Sequence, residues 1–208
     1  QGKLEACKSG EYIKELKLNI DYFFSSFQLR AINTLKLIQD TLRNKKEPIK
    51  AWQLNERHYG ALTGLNKDEM KEKFGEKKIH EFRRSWNTRP DPLSKNNPYH
   101  PLNIDAYKKI PIENIPDTES LKDTYERVVK YYNTDIKNRL LENKNIIVSA
   151  HGNSIRALCK FLFKLDDKKI SLLEIPTGNP LVINLNSNQK IIECKYLDKG
   201  RAKDLLVF

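Results

Sequence analysis

Three short apolar runs along the chain have the character of β-strands, and each ends at polar residues. They cover residues 20–26, 49–52 and 146–148 and are rich in aromatic or β-branched side chains, which favour extended structure. The third, Ile146-Ile147-Val148, is contiguous and β-branched, so it is predicted to be a parallel strand buried on both faces.

Helical periodicity dominates the segments between these runs. In residues 28–42, Ala31, Leu35, Ile38 and Leu42 share one face of a predicted helix. The same kind of pattern predicts further helices over residues 4–16, 67–74, 77–86, 117–142, 155–163 and 166–173.

The end of the chain has a different pattern from the rest. Residues 181–186 and 191–196 predict a hairpin with Asn186-Ser187-Asn188 at its tip. Strands that alternate with helices predict an α/β fold, a three-layer α/β/α domain with a mostly parallel sheet. With 208 residues, one domain over 1–208 is expected.

A long segment without periodicity interrupts this alternation. Residues 89–116 contain six of the nine prolines, together with asparagines and tyrosines. Loops of this length inside a compact domain are usually functional or disordered. The interspersed Tyr99, His100, Ile104 and Tyr107 favour an ordered loop or a lid.

Composition narrows the class of protein. The net charge of +11 favours anionic partners, but the lysines are dispersed among acids, as on a solvated surface. Cys7, Cys159 and Cys194 are widely spaced, so we expect free, buried thiols rather than disulfides or a zinc site. No run approaches about 18 apolar residues and residues 1–5 lack a signal-peptide core, so we expect a cytoplasmic protein without a membrane partner.

Three charged or titratable residues follow predicted strand ends. His151 comes after 146–148 and before a helix, Arg30 lies in the first turn of 28–42, and Glu56 follows 49–52. If the strands are parallel, all three side chains meet at one sheet edge, where helix N-termini favour anions. Such a group suits phosphoryl transfer without a metal. Two of these residues also have a simpler interpretation: His151 as a surface residue in a loop and Arg30 as a solvated arginine.

Two adjacent arginines stand at the end of a predicted helix. Arg83 and Arg84 suit bidentate binding of phosphate or carboxylate, although a solvated helix edge needs no function.

Four segments together carry a family resemblance: 54–67, Arg83-Arg84, 149–158 and 175–182. In this order they resemble the cofactor-dependent phosphoglycerate mutases of the histidine phosphatase superfamily. The resemblance implies interconversion of 3-phosphoglycerate and 2-phosphoglycerate through a phosphohistidine, with 2,3-bisphosphoglycerate as phosphoryl donor and no metal. It also implies a homodimer or homotetramer and no nucleic-acid partner.

The resemblance also implies roles for single residues. Arg30 would bind the transferring phosphoryl, Glu56 would act as general acid and base, and His151 would hydrogen-bond the phosphoryl group. The turn after His151 would be completed by Gly152 and Asn153. The carboxylate and distal phosphate of the substrate would be bound by Tyr59, Lys67, Arg83 and Arg84.

The sequence departs from the family pattern at both ends. An Arg-His-Gly strand that carries the phosphorylated histidine is expected before Gln1, and without it we expect residues 1–208 to be inactive. Three explanations are open: a longer protein, a truncated protein without mutase activity, or an enzyme that uses His151 as nucleophile. Residues 201–208 also differ from the lysine-rich tail of the family.

Two other functions are open as well. Within the same fold, a phosphomonoesterase would hydrolyse its substrate faster than it transfers the phosphoryl group. From a different class, a basic polyanion- or nucleic-acid-binding protein would exploit the charge of +11 and bind with a steep salt dependence.

Overall fold

The computed structural model describes residues 1–201, without the side chain of Lys67. Within the tail 201–208 singled out above, residues 202–208 lie outside the described part. The helices and strands are α1 (Gly2–Glu15), β1 (Tyr22–Ser25), α2 (Leu29–Thr41), β2 (Ile49–Lys50), α3 (Lys67–Phe74), α4 (Glu76–Arg84), α5 (Leu121–Tyr131), α6 (Lys137–Leu141), β3 (Ile146–Ser149), α7 (Gly152–Leu162), α8 (Asp167–Leu172), β4 (Leu181–Leu185) and β5 (Ile191–Tyr196).

A parallel sheet with the order β2-β1-β3 lies at the centre of the domain. Phe24 of β1 aligns with Ile49 of β2 and with Val148 of β3. Because the three strands run in the same direction, their carboxyl ends lie at one edge, and the loops to residues 29, 51 and 152 leave from that edge. The predicted parallel sheet is confirmed.

Helices cover both faces of this sheet. Successive side chains of a strand point to opposite faces, and Phe23 packs with Leu35 of α2 on one face. Phe24 packs on the other face with Tyr131 and Tyr132, at the end of α5. The predicted α/β/α layering therefore follows from two adjacent phenylalanines.

The interior of the sheet differs from the sequence prediction in one respect. Ile146, Ile147 and Val148 are partly exposed instead of buried on both faces, and only Ser149 of β3 is buried. Among the described residues β3 pairs with β1 alone, so it forms an edge of the sheet, and an edge strand shields its side chains less.

The predicted hairpin is present as a separate sheet. Strands β4 and β5 pair antiparallel, with Leu181 opposite Tyr196 and a register shift between Asn184 and Leu185. Within residues 1–201 the hairpin makes no ladder with the parallel sheet.

The helix predicted over 117–142 is shorter and interrupted. It begins at Leu121, because Ser120 caps it: the Ser120 Oγ accepts from the Asp123 N–H, and the Asp123 carboxylate accepts from the Ser120 N–H. A π-helical turn over Tyr132–Ile136 separates α5 from α6.

The long loop, the cysteines and the apolar character of the helices were also subjects of sequence expectations. The long loop 89–116 contains only short 3-10 turns and is anchored by the buried His100 and Ile110. The three cysteines are free as expected, but only Cys159 is buried, whereas Cys7 and Cys194 are half-buried. In the described part of the chain, no helix is both long and apolar enough to cross a membrane.

Candidate active site

The carboxyl edge of the parallel sheet brings together the three residues predicted to meet there. Arg30 Nη2 lies 2.9 Å from His151 Nδ1 and 4.0 Å from Glu56 Oε2. The three side chains come from the first turn of α2, the loop after β2 and the N-cap of α7, and the parallel register places them side by side. Their convergence is observed, whereas their catalytic roles remain predictions.

The hydrogen bonds of His151 determine its tautomer. An arginine can only donate, so the Nδ1 atom accepts from Arg30, and the Nε2 atom carries the proton and donates to Ser26 Oγ at 2.7 Å. The ring is buried, with 3% exposed. Burial, reinforced by the positive charges of Arg30 and Arg127, lowers the pKa of His151 to about 3. The ring is therefore neutral near pH 7 and acts as a hydrogen-bond donor through Nε2.

The carboxylate of Glu56 is held by backbone donors. Its Oε1 atom accepts from the N–H of Arg57 at 2.9 Å and from the N–H of Asn153 at 3.2 Å. Asn153 lies in the first turn of α7, where N–H groups are unpaired within the helix and attract negative charge. Glu56 Oε2 is left facing Arg30.

Gly152 was expected to form a sharp turn, but it is the first residue of α7 and has no positive φ. A Cβ atom added there would come within 4.0 Å of Glu56 Oε2. That distance is an ordinary van der Waals contact, so neither space nor backbone conformation requires glycine at this position.

Tyr59 and Asn153 form one hydrogen-bonded pair behind Glu56. The Asn153 Nδ2 donates to the Tyr59 hydroxyl at 2.8 Å, and Asn153 Oδ1 accepts from Arg156 Nη1 at 3.0 Å. Arg156 also donates to Ile170 O at 2.5 Å. Burial, together with the nearby cations Arg84 and Arg57, lowers the pKa of Arg156 to about 10, so it stays charged at neutral pH.

Arg57 is a buried arginine with few partners. It is 2% exposed, donates to Phe82 O at 2.5 Å, and its guanidinium carbon lies 4.3 Å from the centroid of the Tyr59 ring. Its Nε and Nη1 atoms have no hydrogen-bond partner among residues 1–201. The bond to Phe82 ties the segment of Glu56 to the end of α4, directly before Arg83.

The structure separates the two adjacent arginines of α4. Arg83 is exposed and lines the cavity in front of Glu56. Arg84 turns elsewhere and pairs with Glu174 Oε1 at 2.7 Å. Lys67 begins α3, but its side chain, predicted to bind substrate, lies outside the described residues.

A cavity of about 720 Å³ joins these residues to the long loop. Its walls include five predicted site residues, namely Arg30, Glu56, Tyr59, Arg83 and His151. The loop 89–116 also contributes to the lining of this cavity, with Tyr99, Pro101, Ile104, Tyr107 and Ile110. The side chain of Gln28 joins the two sides, because its Oε1 accepts from the Glu56 N–H and its Nε2 donates to the Tyr107 hydroxyl.

Several residues of the site were not predicted. Ser26 and Gln28 follow the carboxyl end of β1, so the argument that identified Arg30 could have identified them too. Arg57 adjoins Glu56 but gives no periodic signal, and Arg127 lies within a long amphipathic helix. Their positions follow from tertiary contacts alone.

In the described chain, no group of three or more His, Cys, Asp or Glu residues is placed to hold a metal ion.

Comparisons with known proteins agree with the sequence resemblance. The sequence profile of the histidine phosphatase superfamily (branch 1) matches residues 1–100 and 93–197. A protein of Pelagibacter ubique (strain HTCC1062), named 2,3-bisphosphoglycerate-dependent phosphoglycerate mutase, is 77% identical over 100% of this chain and 87% of its own length. A protein of the same name from Caulobacter sp. (strain K31) is 45% identical over 99% of this chain and 86% of its own length.

Solved structures show the same fold at low sequence identity. Bacillus stearothermophilus YhfR superimposes with a TM-score of 0.64 at 15% identity, covering 97% of this chain and 83% of that one. Mycobacterial glucosyl-3-phosphoglycerate phosphatase Rv2419c gives 0.62 at 16% identity, covering 94% and 83%. The match of the profile and the identity to these relatives establish that this chain belongs to the histidine phosphatase superfamily, branch 1.

Proposed function

We propose that this protein is a 2,3-bisphosphoglycerate-dependent phosphoglycerate mutase, which interconverts 3-phosphoglycerate and 2-phosphoglycerate. The observation that carries the proposal is the contact of Arg30, His151 and Glu56 at the carboxyl edge of the parallel sheet. The names of the relatives from Pelagibacter and Caulobacter support the choice of substrate.

The proposed chemistry assigns one task to each of the three residues. Arg30, with its side chain 73% exposed, is free to bind a phosphoryl group and to neutralise the charge that spreads over its oxygens. The neutral His151 ring donates a hydrogen bond from Nε2 when the phosphoryl group replaces the Ser26 hydroxyl. Glu56, beside Arg30, takes up and returns the proton of the substrate hydroxyl.

The walls of the cavity fit a small anionic substrate. Arg83 lines the same cavity as Arg30, and in the proposal it binds the carboxylate or the distal phosphate of a phosphoglycerate. The hydroxyl of Tyr59 closes the cavity near Asn153. The assigned substrate-binding roles of Lys67, Arg84, Gly152 and Asn153 come from the family resemblance.

The His151 ring is better suited to hydrogen bonding than to nucleophilic attack. Both of its nitrogens are engaged, Nδ1 by Arg30 and Nε2 by Ser26. The phosphoryl acceptor that the family resemblance implies belongs to an Arg-His-Gly motif, which the 208 residues do not contain. We therefore assign His151 to the stabilisation of the transferring phosphoryl group.

A coupled assay tests the proposal on the full gene product. We expect conversion of 3-phosphoglycerate to 2-phosphoglycerate that requires catalytic 2,3-bisphosphoglycerate and survives treatment with a metal chelator. Release of inorganic phosphate measured in the same samples separates the mutase from a phosphomonoesterase. Hydrolysis faster than isomerisation, or turnover that ignores the bisphosphate, would contradict the proposal.

Three further properties are part of the proposal; the first is expected from the sequence composition, and the other two are implied by the resemblance. They are a cytoplasmic location, assembly into a homodimer or homotetramer, and the absence of a metal requirement. Sedimentation of the purified protein tests the second of these.

A further inference from the structure

We infer that Arg127 and Glu119 position the carboxylate of Glu56, and that this buried pair is part of the catalytic apparatus although neither residue reacts. The inference rests on the proposed function, since it assumes that Glu56 moves the substrate proton. Neither residue is identified by the sequence pattern.

The two side chains form a bidentate ion pair inside the protein. Arg127 Nε donates to Glu119 Oε1 at 2.7 Å, and Arg127 Nη2 donates to Glu119 Oε2 at 3.0 Å. The side chains are 11% and 5% exposed. Glu119 lies just before the cap of α5 and Arg127 lies two turns along that helix, so the pair belongs to a rigid element.

The pair forms hydrogen bonds with the backbone on both sides of Glu56. Arg127 Nη1 donates to Gln53 O at 2.6 Å, and Nη2 donates to Glu56 O at 3.3 Å. On the other side, the His58 N–H donates to Glu119 Oε2 at 2.8 Å, and the Glu119 N–H donates to His58 O at 2.8 Å. Four hydrogen bonds thus join residues 53–58 to Glu119 and Arg127.

Residues 56–59 have no regular secondary structure, so no helix or ladder fixes their backbone. The hydrogen bonds from Arg127 and Glu119 fix this backbone instead. The backbone of Glu56 determines where its carboxylate meets the N–H of Asn153 and the guanidinium of Arg30. A displacement of about 1 Å at such a residue is enough to slow a reaction strongly.

Stability alone does not explain the pair. A buried ion pair loses hydration that its mutual attraction barely replaces, and apolar residues of similar size often stabilise a protein as well or better. Direct binding of the substrate is not the main task of Arg127 either, because four hydrogen bonds to protein acceptors occupy four of its five N–H groups. What the pair supplies is a defined position for residues 53–58.

The test replaces the pair by apolar residues, because breaking only one partner would leave a buried charge and risk unfolding. We expect the double variant Arg127→Met with Glu119→Leu to fold, as judged by circular dichroism and urea unfolding. Its kcat in the mutase assay should fall about 10- to 100-fold while KM for 3-phosphoglycerate changes less than about threefold.

Hydrogen exchange gives a measurement that does not depend on activity. The His58 amide donates to Glu119, so its exchange should be at least about tenfold faster in the double variant. Arg89→Met serves as the matched control, because Arg89 pairs with Asp123 of the same helix α5 and, in the described part of the chain, forms no hydrogen bond or ion pair with residues 53–58. We expect kcat and His58 exchange to be unchanged in that variant.

The possible outcomes are distinct. A folded double variant with wild-type kcat and wild-type His58 exchange would overturn the inference. Equal loss of kcat in Arg89→Met would show a general effect of helix α5 and would also overturn it. A wild-type protein without mutase turnover would contradict the proposed function instead, and the exchange rate of His58 would still decide whether the pair fixes the segment.

Discussion

Arg30 and Arg127 both line the cavity, and we call the exposed side at Arg30 its mouth and the buried side at Arg127 its floor. The two arginines differ in what they can do. At the mouth, Arg30 is 73% exposed and contacts His151 and Glu56. On the floor, Arg127 is almost buried and gives four hydrogen bonds to the protein. An arginine whose donors are used by the protein holds structure, whereas an exposed arginine beside a catalytic group can bind a ligand.

Arg57 has features of both regions. It is buried like Arg127, yet it makes one strong hydrogen bond, to Phe82 O, and two of its nitrogens have no partner among the described residues. Burial by itself therefore does not reveal whether an arginine stabilises the fold.

The largest effect is expected at the mouth of the cavity. Arg30→Ala should lower kcat by about 10²- to 10³-fold, because one preorganised positive charge is removed from the transferring phosphoryl group. The free energy of unfolding should fall by less than about 1.5 kcal/mol, because the exposed side chain gives up only one hydrogen bond, to His151 Nδ1. Mutase kinetics and urea unfolding check the two parts. Full activity, or a large loss of stability, would contradict the view that Arg30 binds a ligand whereas Arg127 holds structure.

A smaller effect is expected from His151, which also lines the cavity, and it concerns the dependence of stability on pH. Its pKa is about 3 in the folded protein, against an ordinary value of 6.5 in the unfolded chain. The unfolded state then binds more protons between these values, so the stabilisation is complete above pH 6.5 and is lost as the pH falls toward 3. The loss should reach about 1.4 kcal/mol per pH unit.

Urea unfolding at pH 7, 6 and 5 measures that loss of stability. The variant His151→Gln serves as reference, because it lacks the titrating ring and keeps the other acidic and basic groups. Its stability should decline less steeply with falling pH than that of the wild type. Equal slopes would contradict the buried, neutral state of His151.

The smallest effect is expected for Arg57→Met. The bond to Phe82 O is lost, but the two unpaired nitrogens and the buried charge are removed as well. These contributions oppose each other, so the free energy of unfolding should change by less than about 1 kcal/mol. Urea unfolding beside Arg83→Ala, an exposed arginine of the same cavity, measures the difference. A loss above about 3 kcal/mol would show that Arg57 stabilises the fold as a paired residue does.

Local sequence patterns were enough to predict the strands and helices and the sheet edge that carries the site. Apolar runs that end at polar residues identified β1, β2 and β3, and the parallel arrangement then predicted that Arg30, Glu56 and His151 would meet. These features depend on side-chain periodicity and on residues close in sequence, which a single chain displays directly. The motif segments supplied the family, which the comparisons confirm.

Which charged residues face the cavity and which hold its walls in place depends on contacts between residues far apart in the sequence. Arg83 and Arg84 are neighbours in sequence, yet one lines the cavity and the other pairs with Glu174. The helical pattern of α5 gave no sign that Arg127 would reach back to Gln53 and Glu56. The physical reason is that hydrogen bonds between residues about 70 positions apart depend on how helix and loop pack, and periodicity does not encode that packing.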